Sequence, residues 1–105
     1  MSKLPDQYLS IRKRFSKFFT ASKNLGKAAS AAGPINAKTA QFIQLAAAAA
    51  IRSEGSVHSH VKRALDAGAK PDEIYHALIL TTSIIGFPTA SAALSWADDI
   101  IMKKE

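Results

Sequence analysis

A chain of 105 residues, 48% hydrophobic and 21% charged, has the make-up of one ordinary globular domain, which excludes disorder, collagen-like repeats and low complexity. There is no cysteine, so disulfides, thiolate metal sites, iron–sulfur clusters and every thiol chemistry are excluded as well. The net charge of +6 is unevenly spread: residues 1–38 hold eight Lys and Arg and a single acid, whereas the remainder of the chain is close to neutral.

In chain order, the clearest periodic segment comes first. Tyr8, Ile11, Phe15, Phe18, Ser22, Leu25 and Ala29 step by alternate threes and fours, which predicts one amphipathic helix of about five or six turns. Pro5 suits its first turn and Gly33-Pro34 stops it. This basic, acid-poor, Ser-containing start has some likeness to a mitochondrial presequence; an ordinary basic helix in a cytoplasmic protein is the expected reading. Asn36 is a good N-cap for a second helix over 37–52, whose run Ala46–Ala50 permits close packing on more than one side.

Ser53-Glu54-Gly55-Ser56 reads as an interruption, followed by a third helix from Ser56 to Ala67 with Gly68 as its stop. Lys70-Pro71-Asp72-Glu73 opens a fourth, with Ile74, Ala77, Leu78, Thr81, Ile84 and Ile85 as its buried stripe. Gly86-Phe87-Pro88 turns the chain into a fifth, whose inward residues are Ala92, Ala93, Trp96, Ile100 and Ile101. Residues 77–97 carry no charge, but the Gly-Phe-Pro turn and six Ser or Thr make two buried helices a better account than a membrane span. No stretch alternates with period two. The expected class is all-α, with about five or six helices in one domain over 1–105: a basic N-terminal helix over 1–33 and a core over 35–104.

From Ile35 to Leu94 the chain resembles the carboxymuconolactone decarboxylase and alkylhydroperoxidase D-type (AhpD-like) family. The resemblance rests on an ordered series: Ala37-Lys38-Thr39 before the Ala-rich helix, Arg52-x-Glu54-Gly55, His60-Val61-Lys62-x-Ala64-Leu65-x-Ala67-Gly68, Glu73-Ile74, and Gly86-x-Pro88. It implies a small helical subunit that assembles into trimers or hexamers with sites near subunit contacts. Thiol-active members carry C-x-x-C-x-x-x-H, and the matching text here is Ser53-x-x-Ser56-x-x-x-His60. Gln41 stands where those members have a Glu. The decarboxylases carry acids at the positions of Ser56 and His76 and a Tyr at Ile84, and none of these is present.

The candidate site residues are therefore His60 for acid–base work, Ser56 and Ser53 as hydroxyl groups at a helix start, and Gln41 as an orienting partner. A cysteine at a helix N-terminus would gain reactivity from the dipole, but serine has no disulfide chemistry and its alkoxide needs a strong base beside it. Thiol peroxidase activity is not expected. The serines fit three readings: a natural loss of thiols with the pocket kept, an engineered Cys-to-Ser form of an antioxidant enzyme, or plain helix caps. No cofactor is expected, and no metal, because His58 and His60 are not a ready pair and His60 with His76 lacks a third ligand. His76, beside the buried stripe of its helix, is expected to be partly buried.

Two function classes remain. One is a small-molecule site around His60 in a homo-oligomer, taking an anionic organic ligand and, if catalytic, acting as a decarboxylase-like lyase. The other is a non-catalytic oligomeric binding or structural protein that uses its basic N-terminal helix; a nucleic-acid or membrane partner is not expected, since the helix needs its apolar seam for packing. A homo-oligomer is expected in either case, because the seam, the Ala-rich helix and the last helix offer more apolar surface than one small core can use; that it is a hexamer or trimer is what the family resemblance implies.

Overall fold

A computed structural model describes residues 5–103, which form seven helices and, among those residues, no strand. The chain divides after Pro34 into two compact units.

The first unit holds α1 (Asp6–Arg14) and α2 (Ser16–Ala31). The single long helix expected here is broken at Phe15, whose φ of −132° and ψ of 58° lie outside the helical region. In one continuous helix Tyr8 and Phe19 would stand about 16 Å apart along the axis. Instead their ring centroids are 4.9 Å apart in an edge-to-face pair, so the chain turns at Phe15 to bring the two rings together. No glycine or proline marks the break, which is why periodicity ran straight through it. Neither helix contains a buried residue.

The second unit comprises α3 (Ala37–Ala50), α4 (Glu54–Asp66), α5 (Pro71–Ile79), α6 (Thr82–Ile85) and α7 (Phe87–Ile101). Asn36 caps α3 as expected, its Oδ1 accepting from the Thr39 N–H at 2.9 Å. α3 packs on α4, α5 and α7, with Leu45, Ala48 and Ala49 buried. Alanine brings the neighbouring backbones close, and the larger Val57, Val61, Ile74 and Leu78 fill the space between them.

Three expectations about this unit need correction. α4 starts two residues before Ser56, because Ser53 caps it and Glu54 and Gly55 form its first turn. The fourth predicted helix is two: after α5 the Thr81 hydroxyl donates to the Leu78 carbonyl at 2.6 Å, and α6 begins at Thr82. The turn swings Ile84 outward, leaving it 84% exposed rather than in the buried stripe. Gly86, at φ 88°, then supplies the left-handed conformation that lets α7 start at once. Among the described residues no helix is long and apolar enough to cross a membrane.

Candidate functional site

α3 ends in an unusual way that sets up the start of α4. Arg52 adopts φ 57°, a left-handed conformation that costs a non-glycine residue about 1–2 kcal/mol. Its N–H donates to Ala49 O and the Ser53 N–H to Ala48 O, both at 3.0 Å. The Arg52 guanidinium donates to Thr89 Oγ1, at 2.7 Å, in the first turn of α7. In the sequence Arg52 stands out only as part of the Arg52-x-Glu54-Gly55 series, since nothing local marks an arginine as a left-handed cap.

Ser53 sits next as the N-cap of α4, its Oγ accepting from the Ser56 N–H at 3.4 Å. That hydroxyl does the work of a cap. Ser56 and His60 lie one turn apart on the same face of α4, both half-buried. Among the described residues no hydrogen bond joins the Ser56 hydroxyl to His60. His60 pairs instead with Gln41 of α3, Nδ1 to Oε1 at 2.7 Å. The four residues singled out in the sequence thus form two pairs, Ser53 with Ser56 and Gln41 with His60.

With its carbonyl oxygen turned to the ring, Gln41 accepts the Nδ1 proton and leaves Nε2 as the basic nitrogen. Partial burial, and then the nearby positive charge of Arg63, lower the His60 pKa below its ordinary 6.5. The imidazole is accordingly neutral at pH 7, the state a proton acceptor requires. His76, by contrast, is exposed on α5 rather than partly buried, because the adjacent Ile74 and Leu78 turn the other way.

On another face, α3, α5 and α6 enclose an open apolar groove of about 490 Å³, lined among others by Phe42, Ile43, Ala47, Leu80 and Ile84. None of Gln41, Ser53, Ser56 and His60 lines it. The groove explains why the Ala-rich helix buries only one side: Ala47 and Ala50 face the opening.

The carboxymuconolactone decarboxylase family matches residues 16–99. The chain belongs to that family. A solved structure, the apo form of a carboxymuconolactone decarboxylase family protein from Legionella pneumophila, has a TM-score of 0.76 to it at 25% identity, covering 90% of this chain and 87% of that one. No curated protein matches the chain significantly.

Proposed function

We infer that this chain is a family member that works without thiols, as a homo-oligomer with a small-molecule acid–base site at His60. The observation that carries the reading is the 2.7 Å bond from His60 Nδ1 to Gln41 Oε1. It fixes the ring and presents a neutral Nε2, as a proton-transfer group needs. The ligand is a small organic anion. The positive field of Arg63 that disfavours a second charge on His60 favours a carboxylate beside it. If the site turns over substrate, the reaction is of lyase type, with His60 moving the proton. It differs from the decarboxylase branch, whose acids are replaced by Ser56 and His76.

The exposed apolar surface supports the assembly part of this reading. Ile43, Leu80 and Ile84 stand more than half exposed around the groove on α3, α5 and α6. A patch of this kind is covered in a stable soluble protein, and a trimer or hexamer of this chain would cover it.

Hydroperoxide consumption with a dithiol reductant tests the thiol-free reading. The protein as it stands should match the blank, and a protein-dependent rate would overturn the proposal. In the double variant Ser53→Cys with Ser56→Cys, recovered peroxidase activity would mark the serines as the only barrier to thiol chemistry. A second reading, a binding protein acting through its basic N-terminal segment, is favoured by one observation: Arg12, Lys13 and Arg14 are all exposed at the end of α1. Salt-sensitive binding to anionic vesicles or DNA would support it over the first.

A further inference from the structure

On α4, His58 lies two residues before His60 and so points about 200° around the helix from it. There it meets two carboxylates. His58 Nε2 is 3.0 Å from Asp99 Oδ2 on α7 and 3.9 Å from Glu54 Oε2, one turn back on α4. The three ligand atoms all lie within 4.8 Å of one another. We propose that Glu54, His58 and Asp99 form a binding site for a divalent transition-metal ion of the zinc class, which clips α4 to α7.

Three arguments support the site. The first is spacing. Nitrogen and oxygen ligands at zinc distances, arranged tetrahedrally, stand about 3.3 Å from one another. The His58 separations of 3.0 and 3.9 Å bracket that value, and all three ligand atoms lie within reach of one shared ion. The second is ligand type. One imidazole and two carboxylates suit zinc and its neighbours better than they suit magnesium or calcium, which take oxygen alone. Three protein ligands leave a fourth position for water.

The third argument is charge. Asp98 and Asp99 are neighbours in the last turn of α7, at the negative end of its dipole, and that turn holds no basic side chain. Asp98 accepts from the Tyr75 hydroxyl at 2.7 Å, whereas Asp99 faces His58 and, beyond it, another acid. A cation at this point offsets two carboxylates and the helix end together. Because a carboxylate only accepts, His58 Nε2 now carries the proton between the two groups. The ion takes that proton's place, and the proton leaves to solvent.

Isothermal titration of the full, EDTA-treated chain with Zn²⁺ tests this directly, beside a thermal melt with and without the ion. One Zn²⁺ per chain and a raised melting temperature are expected. His58→Gln and Asp99→Asn should each weaken binding ~10-fold or more, and His76→Gln should leave it unchanged. Glu54→Gln, at a largely exposed position, carries the same test should the His58 variant fold poorly: it too must weaken binding. No Zn²⁺ binding, binding unaltered in His58→Gln or in Glu54→Gln, or binding lost in His76→Gln would overturn the proposal. The outcome is independent of the His60 reading, which makes no use of these three side chains.

Discussion

Between Asp6 and Ala31 the chain spaces its apolar residues more regularly than anywhere else, yet Phe18 and Leu25 are 66% and 72% exposed. Between Ala37 and Ile101 the pattern is blurred by alanines, yet Leu45, Val57, Val61, Ile74 and Leu78 lose all contact with solvent. The difference is the number of neighbours. Two short helices by themselves cannot enclose a side chain between them, whereas α3 has α4, α5 and α7 against it. A periodic seam states that a helix needs a partner; it does not supply one.

The largest effect should come from cutting into the enclosed region. Ile74→Ala should lower unfolding free energy by about 2–5 kcal/mol in a urea titration. A loss below about 0.5 kcal/mol, the range of surface changes, would erase the contrast between the two units. In the open region the same kind of change should act on assembly instead. Light scattering should give a mass that is a multiple of the 11.2 kDa chain, and Phe18→Ser with Leu25→Ser should lower it. A wild-type mass at the single-chain value would mean that these side chains have no partner to find.

A smaller effect separates local from tertiary stabilisation. Asn36→Ala removes the cap of α3 and should cost about 1 kcal/mol, measured by the same urea titration, with Asn36→Ser restoring most of it. Smaller still is the pH dependence from His60. Its pKa is lowered on folding, so the unfolded chain takes up its proton first as pH falls below the ordinary 6.5. Stability therefore drops from about pH 6.5 downward until the folded pKa is passed, and is unaffected by this group at higher pH. His60→Gln should flatten that part of the stability profile.

Much of this could be read from the residues. Asn36, Pro71, Gly68 and the Gly86-x-Pro88 turn announce themselves through backbone chemistry that few residue types satisfy, and all of them fall at helix ends in the structure. The breaks at Phe15 and Thr81 were not legible, since both sit in helix-compatible sequence and are decided by what the chain folds against. The same holds for the site. Ser53, Ser56 and His60 stand in one short stretch and are singled out by its resemblance to the family's thiol motif. The trio Glu54, His58 and Asp99 could not, because Asp99 comes from a helix 41 residues further along and only packing of α4 on α7 brings it near. Arg52 escaped for a third reason: its left-handed backbone is set by the turn, and its side chain is held by Thr89 from α7.

The claim that matters most is that His60, held by Gln41, is a neutral acid–base group open to a small anion. Nuclear magnetic resonance of the histidine rings in the intact protein measures it directly, through a pH titration with and without a short dicarboxylate. The account predicts that His60 titrates below 6.5 and that the carboxylate shifts its resonance, with neither response in His60→Gln. A His60 that titrates at or above 6.5 and ignores the carboxylate would contradict it.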